Sequence, residues 1–495
     1  MKNNILAYDF GTSGVKAALV DLKGTLIGYE EEGYPLFSEK IGWAEQDPRD
    51  FWTAVCKATK TVIEKTGTSR ESIASMCFST QGWCILPVDE NGEPTCNCIS
   101  WVDSRARKQA DEINERAGAH IIDASDVIPK MLWIKEEQPD VYKKTKYMLD
   151  CNGYLSMRAT GVFCMDYTCG VCYATHEDAQ QKIYDLFEMA GLDFEKVAPL
   201  YAGGDYVGPV TETAAEELGV PAGTPVYMGV VDTTCAAVGA GCCKEGDAHI
   251  YLGTSGWFTG LIHGDYLEDV VHGIYQIPCL DLTKLIYGGC IQSVCLAFNW
   301  TIDEFYKKEK ESLGGGIFDL IDEEVADIPP GSNGVLASPW LMGERCPIMD
   351  EKAKGVFIGI SNLTKRSDLV NAMMESICYS LLMQMEYYQH DVGKWPEKLG
   401  AIGGGALSDH WLQMMADIAD LPIYRPKNCR HAGAIGAAAT AAVGMGIYKV
   451  DEIDQFVQIE KRFEPIPENV EKYKPLYQTW KKVYPALKEI FSEIN

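Results

Sequence analysis

Short apolar runs closed by clusters of Gly, Thr and Ser recur in both halves of the chain. Ile5-Leu6-Ala7-Tyr8 leads into Asp9-Phe10-Gly11-Thr12-Ser13-Gly14 and out again into the apolar run Val15 to Val20. His249-Ile250-Tyr251-Leu252 leads into Gly253-Thr254-Ser255-Gly256, with Trp257 to Ile262 after it. Such runs read as strands, and the small residues between them as hairpin tips that let a ligand reach the backbone. Two unrelated β-turns would be the plainer reading. The position of each copy near the start of a half instead predicts duplicated domains facing a shared ligand.

Further strand-like runs fall at Ser75 to Phe78 and Ile85 to Val88, and helical stretches at Pro48 to Lys65 and Arg105 to Ala117. In the second half Leu369, Met373, Ile377, Leu381 and Met385 recur at helical spacing, which predicts a long helix over Asp368 to Asp391. Asp409 to Ile418 and Ala434 to Val443 read as two more helices, and the tail from Pro467 onward as amphipathic helix. The pattern is α/β in both halves. No Pro- and Ser-rich linker marks the boundary, so pattern places it within Gly239 to Gly246, giving domains 1–244 and 245–495.

Composition narrows the function classes. The chain has 495 residues, 46% of them apolar and 23% charged, proportions that suit a globular protein with more than one core. A formal charge of −27 repels phosphate polymers and anionic membrane, so nucleic acid and membrane are not expected partners. A small anion such as ATP is not excluded, because backbone N–H groups and Mg²⁺ can supply a local positive field. An acid stands at position 9 and no long apolar run follows, so neither secretion nor a membrane span is expected and a cytoplasmic location is. The eighteen cysteines then read as reduced, buried thiols. Cys169-Gly170-Val171-Cys172 and Cys96-Asn97-Cys98 lack the partners that would complete a four-ligand zinc set. The Tyr379 to Tyr388 stretch reads as core, with an interface between two copies, hence a homodimer, as the other reading.

Two carboxylates stand out. Asp9 closes an apolar run just before a hairpin tip, where it can serve Mg²⁺ while the backbone amides that follow face phosphate oxygens; an ordinary turn residue is the competing reading. Asp232, in Val226 to Thr234, exits a second apolar run just before small residues, where it can take the proton of an attacking hydroxyl or simply cap a helix. No G-x-x-x-x-G-K-[ST] or strand-linked G-x-G-x-x-G is present, so neither a Walker loop nor a dinucleotide fingerprint is the device. The run Gly403-Gly404-Gly405 would let a flat base or ribose approach the main chain.

These motifs, with Trp43 to Pro48, Trp101-Val102-Asp103-Ser104-Arg105, Pro129-Lys130-Met131-Leu132-Trp133, Gly343 to Pro347, and Gly355 onward to Glu375, occur in an order that resembles the FGGY family of carbohydrate kinases, closest in pattern to its xylulokinase-like members. The resemblance runs from the first strand to about Gly446. It implies two ribonuclease-H-like, actin-type ATPase domains flanking a catalytic cleft, and ATP-dependent phosphorylation of a small sugar. Asp232 would be the general base, and Asp9 would serve Mg²⁺ and phosphate. Gly11, Thr12, Ser13, Gly253 and Thr254 would form the phosphate hairpins, and Gly404, Gly405 and Asp409 would border adenosine. Gln81, Gly82, Trp83, Trp101, Asp103 and Thr233 would join Asp232 around the sugar.

The resemblance breaks at two of those contacts. Xylulokinases commonly carry Gln-Met-His-Gly where this chain has Gln81-Gly82-Trp83-Cys84, and Asn where it has Thr233. Glycerol kinases carry Arg-Glu after the equivalent of Gln81, which disfavours glycerol. The implied substrate is a ketopentose such as xylulose, with another ketose, a polyol or a sugar acid as the alternative. A non-catalytic, actin-like nucleotide switch is the reading from a different class.

Overall fold

The computed structural model describes residues 2–169, 176–267, 270–271 and 273–494, with the backbone only at 176–180, 182 and 183. The residues after Cys169 in the Cys169 to Cys172 motif lie outside these.

The first sheet contains β1 (Asn4–Phe10), β2 (Gly14–Asp21), β3 (Leu26–Gly33), β4 (Ile73–Thr80), β5 (Tyr206–Pro209) and β6 (Pro225–Tyr227), in the order β5-β6-β4-β1-β2-β3. The second contains β7 (Asp247–Leu252), β8 (Gly256–His263), β9 (Ile274–Pro278), β10 (Lys284–Ile291), β11 (Lys398–Ile402), β12 (Ile423–Pro426) and β13 (Ile459–Phe463), in the order β9-β10-β8-β7-β11-β12-β13. Both share one plan. A three-stranded antiparallel meander, β1-β2-β3 or β7-β8-β10, is followed by two parallel neighbours and an antiparallel edge strand. The two hairpin tips that share the Gly-Thr-Ser-Gly sequence occupy equivalent places in this plan.

Side-chain alternation on the central strand β1 shows how each sheet is buried on both faces. Leu6, Tyr8 and Phe10 pack with Phe51 and Val55 of helix α1 (Pro48–Thr66), while Ile5 and Ala7 join the core that continues into the second half. Helix α1 starts on an Asp47 cap with Pro48 in its first turn and stops at Gly67 in the left-handed conformation, the residues favoured at those positions. Helix α2 (Cys151–Thr160) packs against the first sheet.

Between the sheets lie α3 (Asp232–Gly239), which leaves the first domain, and α6 (Ala432–Gly444), which comes from the second half and packs on β1 and β4. They cross main chain to main chain. A Cβ on Gly239 would stand 1.9 Å from the Ala432 carbonyl oxygen, and one on Gly436 would stand 1.9 Å from that of Cys235. Helix α4 (Arg366–Val392) spans the predicted long helix, and the buried Tyr379, Leu381, Met385 and Tyr388 place that stretch in the core. Helix α5 (Asp409–Ala419) follows the glycine run. No helix among the described residues is long and apolar enough to cross a membrane, and the described cysteines are free thiols.

Candidate active site between the two sheets

The end of β1 and the start of α3 bring Asp9 and Asp232 onto one cavity of about 420 Å³. Gly11, Ser13 and Lys16 line it from the first hairpin, and Tyr251, Trp257 and Gly433 from the second half. Lys16 Nζ lies 3.9 Å from Asp9 Oδ2. Burial pushes the Asp9 carboxyl above its ordinary range; Lys16 opposes the shift and Glu31 adds to it. Burial also pushes Asp232 up to about 6, against the hydrogen bond from the Thr233 backbone N–H and with help from the Asp9 charge. Two buried carboxyl groups with raised proton affinity on one cavity, near one lysine, suit a site completed by a hard divalent cation.

Asp232 is held from both sides. Thr233 N donates to its Oδ1 at 2.7 Å and the Thr233 hydroxyl lies 3.2 Å from the same oxygen. Behind it, Val231 N donates to the Thr168 hydroxyl at 2.7 Å, and that hydroxyl donates in turn to the buried Asp166 carboxylate. A Cβ on Gly82 would stand 2.6 Å from Val231 Cγ2, so the turn carrying Gly82 and Trp83 is seated directly against the residue that precedes Asp232.

The predicted sugar-facing residues divide into two groups. Trp83 takes a left-handed conformation, φ 54°, uncommon for a bulky side chain, and packs partly buried against the cores of both halves. Its carbonyl and that of Ser100 both accept from Lys130 Nζ, at 3.0 and 2.8 Å. Gln81 Nε2 donates to Gln46, whose own amide reaches the Thr12 carbonyl, and Gln81 Oε1 is buried without a partner. Trp101, partly exposed, donates its indole N–H to the Thr12 hydroxyl at 2.8 Å, so the wall and the hairpin tip share a bond. Asp103 is different. It is fully buried, with Arg105 and the Ala44 N–H on its oxygens, and Arg105 lies over the Trp43 ring in the corner that Trp43 makes with the perpendicular Trp133. The pair holds the loop; neither oxygen of Asp103 is left for a sugar.

The second hairpin tip, at Gly253 and Thr254, accepts backbone hydrogen bonds from Val294, Cys295 and Leu296, and the stacked rings of Tyr251 and Trp257 stand beside it. Gly404 and Gly405 line a second cavity of about 490 Å³ with Phe298, Asp322 and Trp411. A Cβ on Gly404 would meet nothing within 4 Å, so this backbone faces open space. Arg430 lines both cavities. Asp409, expected at this border, instead turns its carboxylate to Arg425 and Lys461, ion pairs that draw it off the cavity wall.

Gly433 carried no sequence signal beyond its place ahead of the Ala-rich helix. A Cβ there would stand 2.8–2.9 Å from all three terminal atoms of the Asp9 carboxylate. Gly433→Ala is expected to displace that carboxylate and lower kcat/KM about tenfold or more, the cost of misplacing a positioned group by a fraction of an ångström. Position 433 is helical, so the melting temperature should stay close to the parent's; a large loss of stability would point instead to a packing defect.

The profile of the N-terminal domain of the FGGY family of carbohydrate kinases matches residues 4–239, and that of its C-terminal domain residues 250–445. The chain belongs to the FGGY family of carbohydrate kinases. As a member it is an ATP-dependent sugar kinase, and the nucleotide-switch reading falls away. A protein named xylulose kinase from Bacillus subtilis (strain 168) is 30% identical over 496 residues, covering 98% of this chain and 97% of its own. Gluconokinase of the same strain is 26% identical over 525 residues, covering 100% and 98%. Among solved structures, ligand-bound xylulose kinase from Lactobacillus acidophilus superposes with a TM-score of 0.84 at 23% identity, over 99% of this chain and 100% of that one. The fold is thus the two-domain, actin-type ATPase architecture.

Proposed function

We propose that the chain transfers the γ-phosphoryl group of ATP to a hydroxyl of xylulose, with Asp232 as the general base. The observation that supports this most is the single cavity onto which Asp9 and Asp232 both open, with a hairpin tip on one side. In this reading Asp232 draws off the hydroxyl proton as the oxygen attacks, and the Thr233 N–H keeps the acceptor oxygen oriented. Ser13 and the Gly253-Thr254 tip offer backbone N–H groups to phosphate oxygens, while the Gly11 N–H closes the first tip on the Gly14 carbonyl at 3.0 Å. Gly404, Gly405 and Phe298, which line the second cavity, would hold the adenosine. Asp9 is the residue suited to hold Mg²⁺, which when bound neutralises charge on the transferring phosphoryl group. Asp103 and Asp409 have no contact role here, because both are committed to arginine.

Xylulose is favoured over gluconate by the higher identity to the xylulose kinase, 30% against 26%. The Gly82-Trp83 turn bears on that choice. Trp83 offers area and one N–H donor in place of an imidazole, so a sugar would stack on it. Trp83→Ala is expected to raise the KM for sugar about tenfold or more, the range for one lost stacking face, with the KM for ATP unchanged. Equal preference across sugars in mutant and parent would remove Trp83 from the pocket. Coupled ADP release with ketoses, pentitols, tetritols, gluconate and glycerol tests the substrate itself: xylulose should give the highest kcat/KM, and a better aldonate or polyol would overturn the assignment.

A further inference from the structure

Three thiols converge behind the Gly82-Trp83 turn. Cys84 comes from the turn after β4, Cys98 from the short strand Cys98–Ile99, and Cys151 from the first residue of α2. Their Sγ atoms all lie within 4.8 Å of one another, the one such group of His, Cys, Asp or Glu ligand atoms among the described residues. All three are buried, at 1%, 0% and 0% exposure. Buried cysteines elsewhere in the chain are explained as small hydrophobes. Convergence of three from elements far apart in sequence is the arrangement of a ligand set, and the spacing motifs Cys96 to Cys98 and Cys169 to Cys172 do not reveal it.

We propose that Cys84, Cys98 and Cys151 bind one thiophilic divalent cation, zinc being the physiological candidate. The surroundings fit its charge. Lys130 Nζ stands between the carbonyls of Trp83 and Ser100, on the two segments that carry Cys84 and Cys98. Three thiolates with a divalent cation leave one negative charge, which the Lys130 ammonium balances, so the buried group is neutral as a whole. Binding forms three metal–sulfur bonds and releases the protons of the thiols to solvent. A tetrahedral ion has one position left. The Gln81 amide lies beside the group, with its Nε2 4.0 Å from Cys151 Sγ and its Oε1 buried without a partner.

Such an ion would brace the turn at Gly82, whose carbonyl lies 3.4 Å from Cys84 Sγ, from inside the protein. The proposal does not depend on the kinase reading, and its test reads metal rather than phosphotransfer. The full chain, produced in zinc-supplemented medium and purified without a metal-affinity step, is assayed for zinc after gel filtration. About one equivalent is expected in the parent and below about a tenth in Cys84→Ala or Cys151→Ser, as for a site that loses a ligand. Cobalt exchanged into the parent should give a thiolate-to-cobalt charge-transfer band, and zinc should raise the parent's melting temperature relative to chelator-treated protein. These two measurements need no variant, so a misfolded mutant leaves the question decidable. Zinc that is substoichiometric and equal in parent and variants, a melting temperature indifferent to zinc and chelator, or a disulfide found between any two of the three by mass mapping would each overturn the proposal.

Discussion

Asp232→Asn is expected to lower kcat at least about a hundredfold while the KM values for sugar and ATP move little, because the change removes a proton acceptor and keeps the shape of the site. The parent should show the same group in its pH profile. With Asp232 pushed up to about 6, the base is protonated at lower pH, and kcat/KM should fall about tenfold per pH unit below that point and level off above it. Stability should run the other way. A carboxyl whose folded pKa lies above its unfolded value favours the folded state below the unfolded pKa, and that contribution is lost as pH rises through about 6. The ligand-free Asn variant should therefore melt higher than the parent at pH 8, and the gap should close as pH falls through 6. Full activity in the variant would remove Asp232 from the chemistry. A variant that is inactive and also melts lower would mean that the carboxylate holds the fold.

Asp103→Ala should act on stability instead. Asp103 and Arg105 are an ion pair at 0% and 1% side-chain exposure, with Nη2 to Oδ2 at 2.6 Å, further hydrogen bonds from Arg105 and Ala44, and the guanidinium 3.7 Å from the centroid of Trp43. Removing the carboxylate strands a buried guanidinium that keeps only Glu45 as an anionic partner, a defect worth about 3–5 kcal/mol. Urea unfolding should show a midpoint lowered accordingly, with the KM for sugar near the parent's in the folded fraction. An unchanged midpoint with a raised sugar KM would return Asp103 to the sugar wall.

The two hairpins were legible in the sequence because Asp, Gly, Thr and Ser punctuate apolar runs in a way that only local turn chemistry produces. The long helix was legible for a similar reason: Leu369 through Met385 repeat at helical spacing, and the observed helix extends only slightly past the predicted ends. What pattern could not supply was pairing across long separations. The α3–α6 crossing joins residues nearly two hundred positions apart, and its signature is the absence of side chains at Gly239 and Gly436. Gly433 was missed for the same reason, since its importance is the space it leaves for Asp9. The thiol cluster was missed because sequence search looks for ligands close together along the chain, whereas Cys84, Cys98 and Cys151 meet only after β4, the Cys98–Ile99 strand and α2 assemble. Asp103 and Asp409 show the converse. Each lies near a motif in sequence, but cations occupy its carboxylate in space, Arg105 at Asp103 and Arg425 with Lys461 at Asp409, and no sequence pattern signals those pairings.

The glycine crossing also bears on how this chain could change over evolutionary time. In the proposed reading Trp83 and Thr233 can exchange side chains, and with them the choice of acceptor, one substitution at a time. The two points where α3 and α6 touch admit no side chain of any size, so new specificities must arise around an axis that stays fixed.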